Sequence, residues 1–342
     1  MKSTGQTTPE LQMKAEQFIN LGYQRLLTFE TPDGGFSLFG QPPADVFLTA
    51  YGLMEMYDMS KVYPVDEGVI ERKAIWLLEH QNADGSWTPS HPMESWRNLP
   101  STDLPATAYV TWALGEAGYA DAEQVHKAVT YIKEMAPQAK EAYVLALVGN
   151  ALATTAPDDP ITRQVLDRLA EMAVIEGESA YWEGGVSSFM GATGDVVSIE
   201  TTALVAYAFI KADVHPDLVN KALTYLVRNK DSFGTWQTTQ ATILSLKALL
   251  ASVSGGEAAD ATVDGQTDLG GKIPTNMSGG LIGKGHPIGA TGASQVYMIV
   301  QQMRGAAPKG NQVDPVPEIG MTDTLGGDFG TLCHIILGRT RR

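Results

Sequence analysis

Four short elbows at nearly regular intervals limit what this chain can fold into more than any other feature of its sequence. The clearest is Gln81-Asn82-Ala83-Asp84-Gly85-Ser86-Trp87. A helix ends on Gln81, Asp-Gly turns the backbone, and an aromatic ring folds back to pack. Gly85 suits the turn because it accepts positive φ without a Cβ clash, and Trp87 supplies apolar area to clamp the elbow onto its neighbours. Variations stand at Thr31-Pro32-Asp33-Gly34-Gly35-Phe36, Tyr181-Trp182-Glu183-Gly184-Gly185 and Asp231-Ser232-Phe233-Gly234-Thr235-Trp236. Their glycines Gly34, Gly85, Gly184 and Gly234 are 51, 99 and 50 residues apart, so the period is close to fifty with one elbow missing. A period of that length signals a helical repeat whose units bury their apolar faces only against one another.

Ten helices are predicted between the elbows. Thr8 as N-cap and Pro9 at the first helical position open the first, which runs to about 29. Others are expected at about 44–59, 66–80, 104–118, 121–135, 139–155, 158–175, 198–212, 216–229 and 236–253. Alternate helices begin with small residues in register: Thr49-Ala50-Tyr51, Thr107-Ala108-Tyr109, Glu141-Ala142-Tyr143, Thr202-Ala203-Leu204 and Gln240-Ala241-Thr242. That set is apolar almost all round and is expected inside; the intervening set is amphipathic and belongs outside. An inner ring wrapped by an outer one is an α/α toroid. Five pairs are visible where closure commonly takes six, so the ring is expected to be open, or incomplete at the N-terminus.

The character changes near residue 254. Ser254-Gly255-Gly256-Glu257-Ala258-Ala259-Asp260 reads as a linker, and glycine is dense beyond it. Of the 24 basic and 39 acidic side chains, residues 1–254 hold 17 and 31 (−14), and residues 255–342 hold 7 and 8 (−1). The two parts are therefore unlike. We divide the chain into a toroid over 1–253, a linker over 254–263 and a small α/β fragment over 264–342, with a helix at about 293–304 and strands at 318–323 and 331–337. A net charge of −15 argues against nucleic acid as a partner, because phosphate binding needs clustered Lys and Arg. One cysteine, Cys333, precludes an internal disulfide. Neither a signal peptide nor a run long enough to span a membrane is visible, which makes a cytoplasmic location the default.

The residues best suited to chemistry lie in Asn276-Met277-Ser278-Gly279-Gly280-Leu281-Ile282-Gly283-Lys284-Gly285-His286-Pro287-Ile288-Gly289-Ala290-Thr291-Gly292. This is a histidine on a glycine loop that opens a helix. Such a loop brings backbone N–H groups close to a ligand, and a helix N-terminus favours developing negative charge. His286 is positioned to act as a general base or to activate a thiol. From about Asp264 to Arg339 the segment resembles the C-terminal end of thiolases, particularly the sterol-carrier branch. The resemblance implies that His286 activates a cysteine nucleophile during acyl transfer to coenzyme A. It also implies that Asn276, Gly279, Gly280, Gly285, Gly289 and Gly292 form the loop facing a coenzyme A thioester. Two departures stand out. No cysteine precedes Cys333, and Thr322-Asp323-Thr324 occupies the place of the family's late Cys or His motif. Cys333, in an apolar strand, reads as a buried small hydrophobe more than as a nucleophile.

Residues 8–253 resemble the thioester domain of α-macroglobulins and complement proteins. The motifs are Thr8-Pro9-Glu10 through Gly22-Tyr23-Gln24-Arg25, Asp33 through Gly40, Ala74-Ile75-Trp76-Leu77 with Gln81–Trp87, and Thr235 through Thr242. The resemblance implies a toroid that hides a Cys–Gln thioester, usually in an extracellular or periplasmic protein; no Cys-x-Glu-Gln segment is present here. His91 falls near a histidine that assists transacylation in some members, but reads as a surface-loop residue. The Gln81–Trp87 elbow also fits terpenoid cyclases and protein prenyltransferases. Against them, Asp158-Asp159-Pro160 reads as a capping turn and the toroid has no cysteine for zinc. His80, His126 and His215 read as solvated helix ends without metal-ligand spacing, so no metal site is expected. The functional expectation is a binding or structural scaffold without its thioester and with no covalently bound cofactor. Its partners would be a protein ligand of the toroid and a thiolase subunit. The alternative is an acyltransferase using His286 that requires a complementary thiolase half. The junction itself fits either a fusion or two joined reading frames.

Overall fold

The computed structural model describes residues 9–89, 103–185, 187–188, 191–231, 234–254, 274, 291–308, 310–325 and 332–338. The chain divides into two compact units, Met1–Ser252 and Val253–Arg342. The first unit is helical. In chain order it contains α1 (Pro9–Leu27), α2 (Val46–Ser60), α3 (Glu67–Glu79), α4 (Asp103–Glu116), α5 (Glu123–Met135), α6 (Ala142–Thr155), α7 (Pro160–Glu171), α8 (Asp195–Lys211), α9 (Pro216–Arg228) and α10 (Thr239–Ser254).

α2, α4, α6 and α8 pack side by side, and each is backed by the helix that follows it. Burial follows composition. Every residue of α6 from Ala142 to Ala153 is buried, whereas α5 buries only Val125, Ala128 and Ile132, and α9 only Val219, Ala222 and Leu226. These three- and four-residue spacings are the stripe that an outer helix turns toward an inner one. The small residues early in the inner helices, such as Ala50, Ala108 and Ala203, are fully buried. Gly52 extends the same logic, since a Cβ there would lie 2.1 Å from the Phe36 ring.

The elbows are three-point fixings. Trp87 Nε1 donates to the Leu77 carbonyl at the end of α3 (2.8 Å), and its backbone N–H donates to Thr107 Oγ1 in α4 (2.9 Å). Trp182 does the same with Leu169 and Thr202 (2.6 and 3.1 Å), and Trp236 with Leu226 and Thr242 (2.7 and 3.0 Å). All three indoles are essentially inaccessible to solvent. Each elbow thus satisfies a helix-end carbonyl and an otherwise orphaned N–H. In the first elbow, Phe36 keeps the backbone bond to Thr49 (2.9 Å) but has no indole. Lys73, fully buried, lies over the Phe36 ring instead and pairs with Glu30. Where the period skips an elbow, Arg168 of α7 reaches back to the Ala136 and Ala139 carbonyls.

Three features differ from the sequence expectation. The helix predicted to reach 175 ends at Glu171, and β1 (Val174–Glu176) and β2 (Ser179–Tyr181) form an antiparallel hairpin before the Trp182 elbow. Gly177 turns it at φ +60, and β-branched Val174 and Ile175 favour strand over helix. Of the two expectations for the ring, open or incomplete at the N-terminus, the first is not met between α10 and α2: Lys247 Nζ lies 2.8 Å from Asp58 Oδ2, and Thr238 just before α10 reaches Glu200 of α8. The supposedly solvated histidines are partly engaged. His215 pairs with Asp167 (2.8 Å) and His80 stacks on Trp76 (3.9 Å between centroids), while His126 is exposed.

The described residues of the second unit comprise α11 (Thr291–Met303) and an antiparallel hairpin of β3 (Ile319–Leu325) and β4 (Leu332–Gly338). α11 lies on the hairpin so closely that a Cβ on Gly320 would sit 2.5 Å from Ile299 Cγ2. Gln302 and Gln312 side chains tie the intervening loop to the helix end through the Asn311 carbonyl, the Val313 N–H and the Gln302 carbonyl.

Candidate functional site

The polar interior of the ring is the richest cluster of titratable groups. The C-terminal ends of α2, α4 and α8 and the middle of α10 meet in one network. Glu116 Oε1 accepts from Tyr207 Oη (3.0 Å), Trp112 Nε1 (3.2 Å) and Lys211 Nζ. Lys247 lies over the Trp112 and Tyr207 rings, 5.5 Å from each centroid, while pairing with Asp58. Burial would raise both carboxyls. The lysines outweigh it, holding Glu116 (Lys211, Lys247) and Asp58 (Lys247, Lys61) below the usual carboxylate range. Every charge here has a partner, which marks the network as a fastening between helices.

Nearer the other end the balance reverses. Glu200 of α8 is completely buried; burial raises its carboxyl to about 7 despite hydrogen bonds from Ser188 and Thr238. Burial also raises Glu55, which bonds Tyr51, and raises the Tyr51 phenol. A cavity of about 30 Å³ opens between α2, α4 and α10, lined in part by Tyr51, Glu55, Tyr109 and Gln240. That is room for about one water. Glu200 Oε2 and Gln240 Oε1 are buried without a hydrogen-bond partner. These acids escape a sequence reading because they sit in helices of mainly apolar composition, and only the fold shows which face each one takes.

Of the sequence-predicted site residues, Asn276, Gly279, Gly280, Gly285, His286 and Gly289 lie outside the described residues, as does His91. Gly292 falls in the first turn of α11. Cys333 stands in β4 opposite Thr324 of β3, with its side chain outside the described set. No arrangement of His286 with Cys333 is therefore defined. Asp159 caps α7, accepting from Ile161 N (2.9 Å) and pairing with Lys133, as a capping turn requires. Among the described residues no cluster of three or more His, Cys, Asp or Glu side chains could hold a metal ion, and no helix is long and apolar enough to cross a membrane.

Inner helices backed by outer helices, with aromatic elbows between, define an α/α toroid. The chain belongs to the A-macroglobulin TED domain family, whose pattern it matches over residues 1–251. It also matches the thiolase C-terminal domain-like family over residues 195–339. The two matches overlap from 195 to 251, the stretch that in the structure forms α8, α9 and α10 of the helical unit. Ovostatin of Gallus gallus is 25% identical over 266 residues, covering 73% of this chain and 18% of that protein. Thioester-containing protein 1 allele S3 of Anopheles gambiae is 24% identical over 255 residues, covering 72% and 18%. An acetyl-CoA acetyltransferase of Methanothermobacter thermautotrophicus is 48% identical over 87 residues, covering 25% and 22%. The chain thus spans less than a quarter of the length of each of these relatives.

Proposed function

We propose that this chain is a macroglobulin-type thioester-domain scaffold that works without a thioester, as a binding module for a protein ligand. One observation carries the reading: the only thiol is Cys333, in β4 of the second unit, so residues 1–252 hold no sulfur nucleophile for an internal thioester. Asp58, Glu116, Lys211 and Lys247 are paired across helices, which also fits a scaffold. Incubation of the purified protein with methylamine tests it. The expected result is an unchanged intact mass and no newly released thiol; a methylamide adduct with a matching free thiol would overturn it.

The second reading rests on the 48% identity of the C-terminal stretch to an acetyl-CoA acetyltransferase. In that reading His286 activates a thiol supplied by a complementary thiolase subunit, on a loop of Asn276, Gly279, Gly280, Gly285, Gly289 and Gly292 that faces a coenzyme A thioester. The chain would then cleave a 3-oxoacyl-CoA only in that subunit's presence, and His286→Ala would abolish the gain. We expect no turnover from the chain alone, because covalent acyl transfer needs an activated nucleophile beside the base.

A further inference from the structure

α1 departs from the other outer helices in what it turns to solvent. Among the described residues, α5, α7 and α9 expose no large hydrophobic side chain and α3 exposes one, Ile75, whereas α1 exposes Met13 (69%), Phe18 (63%) and Leu21 (59%). This is not a helix loosened from the ring. Asn20 Nδ2 donates to Tyr63 Oη at 2.7 Å, Tyr23 Oη accepts the Asp66 N–H at 3.3 Å, and Leu26 and Leu27 pack against the Phe36–Met56–Val69 cluster. At about 100° per residue, Glu16, Asn20, Tyr23 and Leu27 share the ring-facing side. Lys14, Phe18, Leu21 and Arg25, spaced by four, three and four, share the opposite one, and all four are exposed. That is the spacing of a coiled-coil seam. Gly22 stands beside it. A Cβ there would meet nothing within 4 Å, so nothing inside the ring requires a glycine at this mid-helix position.

We propose that this seam docks one amphipathic helix of a partner protein, apolar at the two positions that meet Phe18 and Leu21 and acidic at those that meet Lys14 and Arg25. This rests on the binding-module reading and gives its protein ligand a place and a chemistry. Charge decides the occupant. In an antiparallel pair with a second copy, Phe18 meets Leu21 of the other chain and Lys14 meets its Arg25; in a parallel pair Lys14 meets Lys14. Either arrangement sets cation on cation between chains that each carry −15. No acid of α1 relieves it: of the side chains from 13 to 27, Glu16 alone is acidic, and it lies on the ring side. A helix with glutamates at the two ends of its seam turns that repulsion into attraction, and Gly22 lets its backbone approach closely. An anionic membrane would also accept Phe18, Leu21 and two cations, but the net charge of −15 opposes its approach.

The probe is a fluorescent helical peptide of about three heptads, with leucine at its central seam positions and glutamate at the outer ones; a twin carries lysine in place of glutamate. In anisotropy titrations with the whole chain, the acidic peptide should bind at least about tenfold tighter than its twin, and more weakly as salt rises. Phe18→Ala with Leu21→Ala should lower its affinity about tenfold or more, with little change in thermal midpoint because both side chains are exposed. Lys14→Glu with Arg25→Glu should reverse the preference between the two peptides, an outcome that no loss of structure imitates. Gly22→Ala should raise the thermal midpoint, since alanine favours helix, yet weaken the acidic peptide. No binding, equal affinity for both peptides, or an affinity untouched by the Phe18 and Leu21 changes would overturn the proposal. So would dimerisation in sedimentation velocity, or binding to phosphatidylserine vesicles, that the same two changes abolish. The methylamine experiment stands apart: an adduct there would sink the scaffold reading and leave these titrations as they are.

Discussion

Replacing Thr202 by Val isolates the contribution of one elbow. Thr202 is fully buried; its hydroxyl accepts the Trp182 backbone N–H at 3.1 Å and donates to the Ser198 carbonyl at 2.7 Å. Valine matches the shape of threonine, so no cavity forms. What is lost is the acceptor, leaving the buried N–H of Trp182 with no partner. An orphaned buried donor costs about 1–3 kcal/mol. Thr202→Ser keeps the acceptor and removes one methyl, worth about 0.8 kcal/mol. At about 2–4 °C per kcal/mol for a unit of this size, Thr202→Val should lower Tm by roughly 2–12 °C, centred near 6 °C, and Thr202→Ser by about 2–3 °C. Urea titrations followed by tryptophan fluorescence and far-UV circular dichroism give the difference in midpoint at unchanged m. A loss below about 0.5 kcal/mol for valine, or one no larger than for serine, would show that the hydroxyl does not anchor the elbow.

Gly85→Ala should destabilise by about 2 kcal/mol or more, because φ is +88 and the new Cβ would lie 2.6 Å from the Lys127 carbonyl oxygen; thermal unfolding reads it directly. Glu30→Gln should cost about 3 kcal/mol, since it strands the fully buried Lys73; a double substitution with Lys73→Met should recover most of that loss. The Glu30 carboxyl is held below its usual value by Arg72 and Lys73 against the opposing effect of burial. Its stabilisation is therefore present above pH 4.5 and lost as pH falls further, so the wild-type midpoint should drop more steeply in acid than that of Glu30→Gln.

The ring architecture is legible because close packing imposes itself on composition. Alanines at the contact points of inner helices, and glycine-aromatic pairs at their entrances, are what the geometry permits, so the expected helices fall within a few residues of those observed. The threonines beside those alanines were visible in register, but that their hydroxyls receive the elbow N–H is a property of the folded backbone. The β1–β2 hairpin is hidden because three-residue strands are too short to show alternation. Lys247 and Asp58 are 189 residues apart, and only the ring brings them together. Glu200 is hidden because the groups that meet it, the Ser188 and Thr238 hydroxyls, are brought to it only by the fold. The glycine loop around His286 is distinctive as a pattern of residue types, but its geometry lies outside the described residues.

The fixings at the elbows are arranged in series along the chain. Each joins the end of one outer helix to the start of the next inner helix, so load entering at one end of the ring must pass through them in turn. Three carry an indole wedge. Between α5 and α6 that wedge is absent, and the flexible arm of Arg168 takes its place from α7. Arg168 is part-buried and serves two carbonyls at once, so at that junction a cationic pin stands in for an apolar wedge. The direct packing of α4 on α6 carries the continuity of the inner ring there.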